Sequence, residues 1–221
     1  LWTRAAVASL IAREYGIKVS LVTVGRYLRA WGLSPQQPVR RAYERNDAAI
    51  ARWMNQDYPM IARQAKRDHA AIYWGDERGT RSDHVTGTRD APVGHTPVIL
   101  ATGQRFGCNM ISAITNKGAL AFMVFQGKFK APVFVEFMKR LLKQIDRRIY
   151  LLVDGHPVHR SGTATRFAAI HSARLRLIRM PGYCPELNPE ELLNQDVKTN
   201  GLGKSRPTNR TELMATVRSH L

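Results

Sequence analysis

The chain has 221 residues, 44% of them hydrophobic, with 34 Lys and Arg against 17 Asp and Glu, a formal charge of +17. That length supports one substantial core plus a smaller helical module, and a folded chain this basic is expected to meet a polyanion, of which nucleic acid is the commonest. Cys108 and Cys184 are the only cysteines, which argues against a disulfide framework or a structural zinc site and fits a reducing interior; no apolar run approaches the roughly 20 residues of a bilayer span, and no secretory leader is visible.

Residues 1 to about 33 read as two short helices. Thr3 is placed to cap a helix with Ala6, Val7, Leu10 and Ile11 on one side, and Gly16 supplies the freedom of a tight reversal. Ser20 caps a second helix with Leu21, Val24, Tyr27, Leu28 and Trp31 as apolar positions, and Gly32 stands at its stop. Helix, Gly-containing turn and helix is the helix-turn-helix pattern, whose second helix would offer Thr23, Arg26 and Arg29 to DNA.

Residues 34–69 read as a connecting region: a polar linker over 34–47 with two prolines and with Arg40 and Arg41 as further DNA-contact candidates, then a linker helix from about Asp47 to Lys66 interrupted near Pro59. A domain over 70–221 follows. Its strand candidates are Ala70–Trp74, Val98–Ala101, Cys108–Thr115, Leu120–Phe125, Ile149–Val153 and Arg174–Met180. Gly75 to Gly94 reads as a loop rich in charge and glycine. Helices are expected over Val133–Ile145, over Thr163–His171 and from about Pro189 onward. Periodicity by itself gives an α/β domain with a mixed sheet; strands as a meander, then helix, strand, helix, strand, helix, is the order of a ribonuclease-H-like domain.

Three acids stand out by position. Asp76 follows the first strand of this domain, Asp154 follows the apolar strand Ile149–Val153, and Glu191 begins the late helix after a proline-punctuated loop. Acids at strand ends project into the crevice where open α/β sheets place their sites. Hard divalent cations require oxygen ligands, and two such ions about 4 Å apart clamp an in-line phosphoryl displacement. Each acid also has a plainer reading: Asp76 as a turn opener, Asp154 with Gly155 as a turn pair, and Glu191 as the closing member of a capping box with Asn188 and Pro189. His156 and His159 follow Asp154, but no second His/Cys cluster completes a zinc site. No GxSxG or Walker-type glycine loop is present, which argues against a serine hydrolase and a nucleotide-driven motor.

Placed together, these blocks resemble the DDE transposases of bacterial insertion sequences in the mariner superfamily. The likeness is carried by Tyr73-Trp74-Gly75-Asp76-Glu77-Arg78-Gly79, by Tyr150-Leu151-Leu152-Val153-Asp154-Gly155-His156-Pro157-Val158-His159, and most specifically by Tyr183-Cys184-Pro185-Glu186-Leu187-Asn188-Pro189-Glu190-Glu191. The interval from Asp154 to Glu191 is close to the family's, and the third block carries the catalytic role to Glu191, not to Glu190 or Glu186. The helix-turn-helix followed by Gly32-Leu33-Ser34-Pro35 resembles the family's winged-helix segment. The chain departs from the pattern at Gly155, where Asn is frequent, and at Asn194, where Trp is frequent. The family commonly begins with another helix-turn-helix, and the first residue is Leu1 in place of Met, which fits a piece of a longer protein.

The resemblance implies a ribonuclease-H-like mixed five-stranded sheet flanked by helices and preceded by the small all-α module. It also implies two Mg²⁺ ions (Mn²⁺ as substitute) held by Asp76, Asp154 and Glu191, with His159 positioning a DNA phosphate or a water. The partners implied are double-stranded DNA (element ends and a TA target) and a second subunit in a homodimer, in a cytoplasmic, nucleoid-associated bacterial protein. The competing expectations are a ribonuclease-H-like nuclease or integrase, a DNA-binding regulator without catalysis, and a decayed transposase that binds DNA but no longer cuts.

Overall fold

The computed structural model describes residues 2–36, 42–83, 92–96, 98 and 102–221. Residues 1–41 and 42–221 form two compact units. Arg40, Arg41 and all but Val98 of the strand expected at Val98–Ala101 lie outside the described residues, and Val98 itself is not in a strand. Among the described residues no helix is long and apolar enough to cross a membrane.

The first unit is the expected helix pair. Helix α1 (Arg4–Tyr15) is capped by Thr3, whose side chain accepts from the Ala6 amide, and ends at Gly16 with φ 68°. Helix α2 (Leu21–Ala30) is capped by Ser20, which accepts from the Thr23 amide. The buried residues of this pair are Val24 and Gly25, both on α2. Leu21, Tyr27 and Trp31, expected on an apolar face, are more than half exposed: two helices of this length have too little surface to enclose a core of their own.

In the second unit, the linker helix runs as α3 (Asp47–Arg52), a π-turn over Trp53–Asp57, and α4 (Tyr58–Arg67). The widened turn precedes Pro59, which has no N–H to give to the preceding turn. Five strands follow: β1 (Ala71–Arg81), β2 (Gly107–Ile114), β3 (Leu120–Phe125), β4 (Ile149–Val153) and β5 (Leu175–Arg179). They form one mixed sheet in the order β3-β2-β1-β4-β5, antiparallel from β3 to β1 and parallel from β1 to β5. This is the five-stranded ribonuclease-H-like sheet expected. One element differs: the stretch from Gly75 read as a loop is strand as far as Arg81, because residues 74–81 pair with 107–114 of β2 in unbroken antiparallel register. Asp76 therefore sits within a strand, not after one.

Helices α5 (Ala131–Gln144) and α6 (Gly162–Ile170) pack one face of the sheet, where Phe134, Phe137, Met138 and Leu141 meet Tyr73, Ile111, Leu151 and Val153. On the opposite face α4 and the π-turn bring Trp53, Ile61 and Ala65 to Trp74, Tyr150 and Leu152. Helix α7 (Glu190–Asp196) and a last helix not foreseen in the sequence, α8 (Arg210–His220), follow; α8 lays Leu213, Met214 and Val217 on Met110 and Val124. Strand β4 is buried at every residue, as expected for a parallel strand covered on both faces. Leu151, with no exposed surface, lies at its middle. Leu151→Ala is expected to cost about 2–5 kcal/mol, to be measured by urea unfolding; a loss below about 1 kcal/mol would mean the central strand is not packed as described.

Candidate active site

The pairing of β1 with β4 is parallel and ends at Gly75 against Val153. The next residue on each side is an acid: Asp76, still in β1 and opposite Ser112 of β2, and Asp154, just past the end of β4. The packing is close at Gly75: a Cβ there would come within 3.2 Å of the Leu151 side chain and 3.4 Å of Val153. The third acid arrives on α7 by way of a loop containing a short 3₁₀ turn, Pro185–Leu187. Arg45 holds that loop, pairing with Glu186 and Asp47 and donating to the Tyr183 carbonyl at 3.3 Å. Asp76, Asp154 and Glu191 line one cleft of about 460 Å³, together with His156, Arg160 and Asn188 among others.

Each of these acids is gripped through one oxygen by a neighbour. Asn194, one turn along α7 from Glu191, donates to Oδ2 of Asp76 at 2.9 Å. Arg78 donates to Oε2 of Glu191 at 2.8 Å. Oδ1 of Asp154 accepts from the His156 amide at 2.9 Å and lies 2.8 Å from Nδ1 of His159. Two further acids stand beside them. Glu77 turns to the other face of β1, with its carboxylate 3.6 Å from Nε2 of His159 and 3.7 Å from Nε2 of His156. Glu190 is fully buried and accepts from the Ser112 hydroxyl at 2.6 Å; Ser112 is the residue opposite Asp76 in the β1–β2 register.

Crowding of acids in a partly dry cleft has the expected electrostatic result. Burial, then the charges of Glu191 and Asp154, raise Asp76 to about 6. Burial raises Glu77 to about 7 against the pull of His159, and raises Glu190 to about 8, with Ser112 opposing and Asp76 reinforcing. Asp154 goes the other way: burial works against its charge, but the hydrogen bonds of His159 and the His156 amide outweigh it and hold the carboxyl below the ordinary range. A set of like charges packed this closely favours a cation among them, and an all-oxygen set from Asp76, Asp154 and Glu191 suits a hard divalent ion. Among the described residues, Glu77, Asp154 and His159 bring potential ligand atoms within 4.8 Å of one another; Asp76 and Glu191 are outside that group and line the cleft with Asp154.

His159, expected at a phosphate or water, is 1% exposed and does not reach the cleft surface; its ring is packed against Phe134 at 4.6 Å. Arg26 and Arg29 are exposed on α2, whereas Thr23 is partly buried and bonds the capping Ser20. Sequence reasoning passed over Glu77, Arg78, Ser112 and Asn194 as parts of the site. The available signal was strand alternation: once 75–81 is strand, Asp76 and Arg78 share one face and Glu77 takes the other.

The burial of Glu190 has a measurable consequence. Its ordinary value is 4.5 and its folded value about 8, so the folded chain holds a proton that the unfolded chain releases. Its contribution to stability is complete below pH about 4.5 and is lost as pH rises toward 8. At about 1.4 kcal/mol per pKa unit, Glu190→Gln is expected to remove a few kcal/mol of the decline in stability of the metal-free protein between pH 5 and 8. An unchanged slope in urea titrations across that range would show that Glu190 is not the group responsible.

Residues 71–214 match the family described as DDE superfamily endonuclease, and residues 1–57 match the family described as winged helix-turn helix. Among solved structures, the chain is similar to the Mos1 transposase paired-end complex with left transposon end, at 15% identity and a TM-score of 0.65 over 99% of this chain and 70% of that one. It is similar to the Mos1 mariner paired end complex with Mn, at 16% identity and 0.64 over 99% and 72%. It is also similar to the catalytic domain of Mos1 mariner transposase, at 13% identity and 0.54 over 83% and 84%. At these identities the likeness is one of fold. No curated protein sequence matches the chain closely enough to count as a relative.

Proposed function

The chain belongs to the DDE superfamily of endonucleases, and from that premise we propose that it is a mariner-type DNA transposase using Asp76, Asp154 and Glu191 as its metal-holding acids. The observation that carries the proposal is the convergence of these three, from β1, the end of β4 and α7, on one cleft in an otherwise strongly basic chain. The orientation of α7 favours Glu191 over its neighbour: Glu190 is fully buried against Ser112, while the Glu191 side chain is 43% exposed on the cleft. The ions are proposed to be two Mg²⁺, with Mn²⁺ as substitute; Mos1 structures with Mn and with Mg support the choice.

When bound, such cations supply Lewis acidity toward a scissile phosphate and lower the pKa of an attacking hydroxyl. The protein's own part is positional. His156 and His159 orient Asp154, Asn194 orients Asp76, and Arg78 balances Glu191. In the first step water attacks the phosphodiester at the end of the element, the bond to the 3′ oxygen breaks, and a 3′-hydroxyl is left. In the second, that hydroxyl attacks a target phosphodiester and displaces the target's own 3′ oxygen. Arg26 and Arg29 on α2 are proposed DNA contacts, and His159 is not. A bacterial insertion sequence as origin, a TA target, a cytoplasmic, nucleoid-associated site of action and a homodimer with one subunit per element end complete the proposal. They are supported by the likeness of the Tyr183–Glu191 block to that family and by the paired ends of the Mos1 complexes.

Two experiments test it. On a duplex carrying the inverted repeat that flanks the encoding gene, the wild type with Mg²⁺ or Mn²⁺ is expected to yield nicked and strand-transfer products. Asp76→Ala, Asp154→Ala and Glu191→Ala are each expected to lose at least about 100-fold in rate, since removing an ion ligand forfeits several kcal/mol of transition-state stabilisation. Cleavage without joining would make the chain a nuclease of the same fold, and metal-independent DNA binding alone would remove the enzyme. Separately, Arg26→Ala with Arg29→Ala is expected to weaken binding to the repeat and to lower the slope of log K against log salt by about 2; an unchanged slope would place the DNA elsewhere.

A further inference from the structure

Two buried atoms face each other in this site with no hydrogen-bond partner among the described residues, Nε2 of His159 and Oε2 of Glu77, at a separation of 3.6 Å. The His159 ring lies between Glu77 and Asp154. It is 1% exposed, packed against Phe134 at 4.6 Å and edge-on to Phe129 at 5.7 Å. Its backbone is fixed as well, since the His159 amide donates to the His156 carbonyl at 3.0 Å within the turn that leads to α6. The other ring nitrogen, Nδ1, lies 2.8 Å from Oδ1 of Asp154. An ionised carboxylate can only accept, so Nδ1 is the donor. With the His156 amide on the same oxygen, Oδ1 is held from the protein side, while the Asp154 side chain remains 46% exposed toward the cleft.

We propose that His159 is a positioning residue: it locks the Asp154 carboxylate in the rotamer that presents Oδ2 to the cation, and Glu77 braces the ring from its far nitrogen. His159 touches neither the cation nor DNA. Glu77 closes the space behind the second nitrogen of the ring at 3.6 Å, and residues that orient a metal-holding carboxylate shape the affinity of a metal site without binding the metal. The inference rests on the reading of Asp154 as a metal-holding acid. It also gives Glu77, which has no place among the three acids, a task that its orientation on the opposite face of β1 permits.

The test uses the full chain without DNA, with Mn²⁺ as the probe, affinity measured by calorimetry and by electron paramagnetic resonance. His159→Ala is expected to weaken Mn²⁺ binding about 10- to 100-fold. His159→Asn, whose amide N–H occupies the place of Nδ1–H, is expected to restore most of that loss. Glu77→Gln is expected to weaken binding less than His159→Ala and to add nothing in the double variant, because both act through one ring. The spin-echo spectrum of the wild-type Mn²⁺ complex is expected to show no directly bound nitrogen. Wild-type affinity in His159→Ala, together with lost affinity in Asp154→Ala, overturns the positioning role and leaves the acids in place. Wild-type affinity in Asp154→Ala overturns the underlying reading instead. A bound nitrogen in the spectrum makes His159 a ligand and also overturns the proposal. Where His159→Ala does not fold, the Asn variant decides: recovered affinity supports the proposal, and a folded protein without it overturns it.

Discussion

The parallel pairing of β1 with β4 is the constraint from which the site follows. Its register stops at Gly75 and Val153, and the two acids that come next are placed together by the sheet before any side-chain interaction acts between them. Bringing two carboxylates into a half-dry cleft is unfavourable. The packing that enforces it is the apolar content of β4, buried on both faces, and the close approach of Gly75 to Leu151. The third acid is less rigidly specified. It depends on a proline-containing loop, and that loop is fastened by Arg45 from just before the linker helix, so residues at the start of the unit help to place chemistry near its end.

Around this framework the protein distributes unequal electrostatic environments. Asp154 has hydrogen-bond donors and stays ionised, Asp76 and Glu77 are raised by burial and by their neighbours, and Glu190 is raised furthest. Adjacent acids on α7 thereby receive opposite assignments. Glu190 is enclosed beneath the sheet and bonded to a serine, while Glu191 meets Arg78 at the cleft. The chain is basic almost everywhere else, so the cleft is a local reversal of sign within a surface suited to DNA.

Much of this was legible beforehand. Ile149–Val153 is an uninterrupted apolar run with an acid directly after it, and it emerges as the strand its composition announces. Leu120–Phe125 has the bounds expected of it, and the Tyr183–Glu191 block carried enough pattern to lead Glu191 to the cleft. Other features were hidden for identifiable reasons. Gly75-Asp76-Glu77-Arg78-Gly79 has the composition of a turn, and only its partner β2, some thirty residues later, makes it strand; pairing partners are not written in local composition. The same misreading concealed Glu77, because alternation has no meaning in a loop. His159 was expected at a phosphate or a water on the strength of the family resemblance, but Phe129 and Phe134, which enclose it, come from a distant stretch. Helix α8 has large apolar residues only at Leu213, Met214 and Val217, a pattern too sparse to distinguish a packed helix from a polar tail.

The overhang of β1 past Val153 has one more implication. From Asp76 to Arg81 the strand is hydrogen-bonded to β2, and among the described residues no strand lies beside it where β4 has ended. An open margin of this kind is a template on which another chain can add a strand, and inward-facing charges are one of the ways natural sheets discourage it. Asp76, Glu77 and Arg78 fall on that margin. Each of the three meets a side chain there: Asn194 bonds Asp76, the His159 ring lies against Glu77, and Glu191 pairs with Arg78.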